Sequence, residues 1–380
     1  MYAPRWDLRN LSTATLVVAV AAAALGTAAF AAAPPTLGGA PRSIVSTVPK
    51  NGDVNPYGMA LVPKSSGLLV KGDILVSNFN NSKNLQGTGT TIIEATPTGS
   101  KTLFATIDAG NLPGACPGGI GLTTALSVLS PGWVVVGSLP TTNGKSATAK
   151  AGCLLVLNSN GKVVETWTGH GINGPWDMTA TQKGATASLY VTNVLNGTLA
   201  AKGSLAHGGT VLRLDVSVPS GKAPLLTKST IVGSGFAEKT DPAALVIGPT
   251  GVGLNSAGTL YVADTANNRL DMIPRANTRT GSAGKGTVVT AGGTLNNPLG
   301  LVVAPSGAVL TANANDGNLV VTDTSGKQVG TAMLDKSGKP KGAGALFGLL
   351  LTTDNRLFYV DDATNTLRSF TSSALDSLVR

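Results

Sequence analysis

Three segments in the second half of the chain share one internal ruler. Gly251 to Asp264, Gly300 to Asn313 and Gly348 to Asp361 are each 13 residues apart, and successive copies start 49 and 48 residues apart. The clearest copy, residues 246–273, opens at Pro249-Thr250-Gly251 and turns around Ser256-Ala257-Gly258. It continues in Leu260-Tyr261-Val262-Ala263-Asp264 before a third apolar run. A fixed period of about 50 residues made of short strands is the mark of a β-propeller, in which each repeat is one four-stranded blade. The chain is therefore expected to be all-β.

Earlier copies carry insertions but keep the order. Blade one opens at Asn55-Pro56-Tyr57-Gly58, blade two at Pro117-Gly118-Gly119 and blade three at Pro175-Trp176-Asp177. Their second strands are 74–78, 133–136 and 189–193. Six openings predict six blades, near residues 55–110, 117–168, 175–233, 246–291, 296–334 and 345–370. Turns such as Asn160-Gly161 and Ser325-Gly326 between apolar runs are hairpin signals. The tail 372–380 makes a poor fourth strand for blade six and suits a short helix instead. Residues 43–48 (SIVSTV) have no blade of their own and are expected to close the ring as that missing outer strand. With 49 glycines and 12% charged residues, the chain suits tight turns more than helices.

Residues 249–270, Pro-x-Gly followed by a Gly turn and Tyr-Val-Ala-Asp-x-x-Asn-Asn-Arg-Leu, resemble the NHL repeat of six-bladed propellers. The match is close in blade four, partial in blades five and six, and a skeleton in blades one to three. The resemblance implies the fold; it does not imply one activity, because such propellers include binding modules, scaffolds and a few lyases.

Arg5 and Arg9, the apolar run 14–25 and Ala29-Phe30-Ala31 have the order of a secretory signal peptide. Residues 1–31 are read as that signal, 32–41 as a short linker and 42–380 as the propeller. The expected location is periplasmic or secreted, with no membrane span after signal removal, and the expected state is a monomer. Net charge is +9, yet no Lys/Arg run tracks a phosphate backbone, so nucleic acid is not an expected partner. Several lysines, such as Lys162, Lys222 and Lys327, follow turn glycines, where they discourage edge-to-edge strand pairing.

Unusual features gather on one face. In a four-stranded blade, the lead-in to the first strand and the turn from second to third lie on the same side of the disc. Insertions 80–89, 141–152 and 195–209 all fall at that turn, which suggests a recognition rim. Cys116 and Cys153 sit there and are expected to pair as a disulfide in an exported chain. His170 and His207 share the rim, as surface or loop-anchoring residues or as two ligands of a weak metal site. The middle residues of the openings, Tyr57, Gly118, Trp176, Thr250, Leu299 and Phe347, should lie at the channel mouth. Tyr57, Trp176 and Phe347 form either a ligand platform or a plug there.

Asp177 replaces the opening glycine and could orient a polar ligand or coordinate Ca²⁺. Asn78, Asn193, Asp264, Asn313 and Asp361, at the ends of second strands, either add a ring of oxygens or bond to their own turns. No Ser/His/Asp order, phosphate loop or cysteine metal spacing appears. The reading is a non-catalytic propeller that binds a protein, glycan or small molecule through the rim and has no obligatory cofactor. The alternative is a lyase or lactonase-like hydrolase using a divalent cation, Ca²⁺ being possible, at the channel mouth.

Overall fold

The computed structural model describes residues 33–380; the expected signal peptide lies outside them. Residues 34–380 form one compact unit. They fold into six antiparallel sheets. The innermost strands are Val54–Leu61, Leu122–Leu129, Pro175–Lys183, Pro249–Leu254, Pro298–Val303 and Leu346–Leu351. Each packs on the next, and Leu346–Leu351 packs on Val54–Leu61, which closes the ring. The chain is a six-bladed β-propeller.

The ruler has a structural cause. Pro249 pairs with Asp264, Pro298 with Asn313 and Leu346 with Asp361, and after each the register slips by one residue. The Pro-x-Gly opening is thus a β-bulge that re-aims the inner strand at the channel rim. Its glycine lets neighbouring blades touch. A Cβ on Gly300 would overlap the Phe347 carbonyl oxygen, and one on Gly251 would overlap that of Leu299.

Blade two departs from the expected opening. Leu122, not Pro117, pairs with the end of the second strand at Ser138. Leu122-Thr123-Thr124 therefore takes the place of Pro-x-Gly. Gly118 is removed from the channel and lies against Lys150, Pro140 and Ala151.

Blade three is also larger than expected. Its fourth strand runs from Leu225 to Asp241 and carries an extra strand, Leu245–Ile247, so Val246 and Ile247 belong to blade three rather than blade four.

The ring is closed by Ala40–Ser46, which pairs antiparallel with Thr366–Thr371 as the outer strand of blade six. Residues just before it are anchored to blade five. Leu37 is buried, and its N–H donates to Thr331 O of blade five at 2.6 Å. The tail forms the helix Ser373–Val379, capped by Ser372 and burying Leu375 and Val379. No helix among the described residues is long and apolar enough to cross a membrane.

Candidate functional site

The insertion-bearing end of the channel is closed. Tyr57, Trp176 and Phe347 are each about 1% exposed. Tyr57 stacks on Phe347 with ring centroids 4.1 Å apart and on Phe79 at 4.4 Å. The extra strand Leu245–Ile247 packs with this cluster, and Trp176 Nε1 donates to the Val246 carbonyl at 3.1 Å. Leu245 has φ +62° and is bracketed by a Val246 N–H to Ala244 O bond of 2.7 Å. That is a γ-turn with a bulky residue in the left-handed region, a conformation held only by its surroundings.

The insertions brace this plug. Gln86 Nε2 donates to Pro242 O at 2.8 Å, and Thr141 Oγ1 donates to Gln86 O at 2.5 Å. Two of the three insertions that look like a recognition rim in sequence, 80–89 and 141–152, thus bond to each other, and the first also bonds to Pro242 just before the extra strand. Replacing Leu245 with Asp should expose Trp176. In residues 34–380 with Trp133→Phe and Trp167→Phe, where Trp176 is the remaining tryptophan, acrylamide should then quench its fluorescence several-fold more strongly, and unchanged quenching would count against a plug.

The second-strand ends are buried and engaged locally. Asn193 Oδ1 accepts from Asn173 N at 3.0 Å, and Asn313 Oδ1 accepts from Asn296 N at 3.1 Å. Asn78 Nδ2 donates to Thr47 O at 3.2 Å. Asp264 pairs with Arg269 at 2.9 Å and Asp361 with Arg368 at 2.7 Å. These side chains serve turns and blade contacts, while Asn78 Oδ1 and Asp264 Oδ1 are buried with no hydrogen-bond partner in the protein.

Cys116 and Cys153 form a disulfide that ties the lead-in of blade two to the end of its insertion. His170 and His207 are both exposed, and among the described residues no three His, Cys, Asp or Glu side chains gather to hold a metal.

What remains open is the other end of the channel. A cavity of about 250 Å³ is lined by the inner strands of all six blades. Its outer rim is apolar and half-buried, with Leu61, Val128, Ala180, Leu254, Val303 and Leu350. These residues lie in the halves of the inner strands that run toward the first-to-second turns, so the cavity faces away from the insertions.

Asp177 is the one ionisable side chain lining this cavity. Its Oδ1 accepts from Met178 N at 2.8 Å, and its Oδ2 accepts from Val252 N of the next blade at 3.1 Å. Inner strands have no partner on their channel side, so Val252 N–H is a spare edge donor that a carboxyl can satisfy. Burial nevertheless pushes the Asp177 carboxyl up to about 8, against the pull of those two donors. At neutral pH the group is therefore largely protonated and can donate a hydrogen bond. Thr124, which also lines the cavity, is buried, and its hydroxyl has no protein partner.

Calcium does not fit this donor set. It takes six to eight oxygens, typically with several carboxylates, and here a single carboxyl already accepts two N–H groups. The sequence singled out Asp177 but placed it at the wrong end of the channel. Thr124 and Ser127 were missed because blade two offers no Pro-x-Gly to mark its inner strand.

No protein-family profile and no curated protein matches this sequence. Solved structures do. A gluconolactonase from Xanthomonas campestris is 14% identical, covers 89% of this chain and 94% of its own, and superposes with a TM-score of 0.53. A calcium-binding regucalcin from Agrobacterium tumefaciens is 15% identical over 90% and 95%, with a TM-score of 0.53. A streptogramin B lyase is 12% identical over 88% and 98%, with a TM-score of 0.51. What they share with this chain is the fold.

Proposed function

We propose that this protein is an exported propeller that binds a small neutral molecule in the channel cavity, through the face opposite the insertions. The observation that carries this reading is Asp177: a carboxyl replaces a packing glycine at the one place where the channel stays hollow. A ligand with an apolar body and a carbonyl or hydroxyl head matches apolar walls, one acid proton and the free Thr124 hydroxyl. The disulfide agrees with an oxidising compartment.

A second reading is hydrolysis or elimination at the same site, without a cation. It is favoured by the protonated carboxyl, since a general acid works best with a pKa near the ambient pH, and by the likeness in fold to a lactonase and a lyase.

One experiment separates the two. Benzamide and δ-valerolactone are used as probes, with saturation-transfer NMR for binding and a pH-stat for ring opening. Binding predicts saturation transfer to both probes that disappears in Ala180→Trp, which fills the cavity mouth. Catalysis predicts in addition lactone opening above background that is lost in Asp177→Asn. Equal transfer in the wild type and Ala180→Trp would sink both readings.

A further inference from the structure

The turn joining the first two strands of blade one, residues 62–73, is the longest of the six such turns. Hydrogen bonds brace it along its length. Ser66 and Leu69 exchange N–H···O bonds of 3.0 Å in each direction, making a tight hairpin with Gly67 at φ +56°. Leu68 N–H donates to Ser159 O of blade two at 2.8 Å. Val70 N–H donates to Glu94 Oε1 at 2.7 Å, and Lys71 N–H to Ser65 Oγ at 2.9 Å.

This braced hairpin turns Leu69 inward, 1% exposed, and holds Leu68 and Val70 outward at 53% and 52%. A loop with no task would be expected to turn its apolar residues in or to carry polar ones. Here the backbone is fixed so that two apolar side chains stay in water.

Lysines surround them. Lys64 and Lys71 flank the tip, and Lys162 follows the blade-two turn against which Leu68 is braced; all three are exposed. Every ion pair among the described residues uses arginine, so these lysines have no acidic partner within 4 Å. The nearby acids, Asp73 and Glu94, lie at the base of the hairpin, and desolvation pushes both carboxyls upward, toward the neutral form.

We propose that this hairpin docks the protein on an anionic lipid bilayer, with Leu68 and Val70 entering the interface and Lys64, Lys71 and Lys162 meeting the headgroups. Two apolar side chains are too little for a stable protein interface, which takes about 800 Å² from each partner. They suffice for shallow insertion when flanking lysines add attraction to anionic lipid.

The test uses residues 34–380, which form a compact unit by themselves. Sedimentation is measured with vesicles of equimolar phosphatidylglycerol and phosphatidylcholine, and with phosphatidylcholine alone. Binding should be confined to the anionic vesicles and weaken about tenfold in Leu68→Ser/Val70→Ser and in Lys64→Gln/Lys71→Gln. Leu68→Trp should add a blue-shifted emission component on anionic vesicles, a readout independent of partition strength. Because these positions are exposed, the variants should keep the wild-type urea midpoint, which checks their folding. No sedimentation would overturn the proposal. Equal binding by Leu68→Ser/Val70→Ser and wild type would also overturn it, leaving adsorption by general positive charge. An unshifted Leu68→Trp spectrum on bound vesicles would do the same.

Discussion

Gly300→Ala should destabilise the protein by about 3 kcal/mol or more, a large effect for one added methyl group. The new Cβ would overlap the Phe347 carbonyl oxygen of the next blade. That oxygen belongs to the backbone of the inner strand Leu346–Leu351, so no side-chain rotation relieves the clash. Either the bulge must flatten or blades five and six must part, and both disturb the packing around Tyr57 and Phe347. Gly281→Ala is the control. Nothing lies within 4 Å of its added Cβ, and it should shift stability by no more than about 0.5 kcal/mol. Urea unfolding of the two variants beside the wild type decides the matter. Equal midpoints for Gly300→Ala and Gly281→Ala would mean that the blades are not in contact at their openings.

The second large effect is a stability that declines as the solution becomes more alkaline. In the unfolded chain the Asp177 carboxyl loses its proton at its ordinary pKa of 3.8, whereas in the folded protein it holds it up to about 8. Between those values the folded state binds more protons than the unfolded one, so raising pH favours unfolding. The contribution is fully present below about pH 4, falls by up to about 1.4 kcal/mol per pH unit, and levels off above about pH 8. Burial also raises Asp362, to about 7, and shifts Glu238 in the same direction, so the rest of the molecule adds to the trend. Asp177→Asn removes one titrating group while keeping an amide that can accept a backbone N–H. Its stability should fall less steeply than that of the wild type from about pH 5 to about pH 8. Parallel curves for the two proteins would mean that the carboxyl is solvated and ionised, and the proposed hydrogen-bond donor would go with it.

The ring was legible in sequence because its cause is local. A bulge, a glycine turn and a polar strand end recur at fixed spacing, and each is read from a few adjacent residues. The closing strand and the disulfide were legible for a related reason: SIVSTV had no partner nearby, and two cysteines had only each other. Blade two misled because Leu122-Thr123-Thr124 carries out the bulge without proline or glycine, while Pro117-Gly118-Gly119 imitates the signal five residues early. Leu245–Ile247 misled because its apolar run abuts Pro249 and reads as the start of blade four; only its pairing with Lys239–Asp241 assigns it to blade three. The cavity was out of reach altogether. Which end of a channel is filled depends on side chains from six blades meeting at one axis, and no single stretch of sequence records that.

The strand that seals the ring has a consequence in time. Ala40–Ser46 leaves the ribosome long before Thr366–Thr371, the segment it must zip to, has been made. More than three hundred residues separate the two, so the circle cannot be completed on a growing chain, and pairing across such a span is slow even afterwards. Until its last blade is synthesised, the circle therefore stands open at this one seam, whatever the earlier blades have already formed.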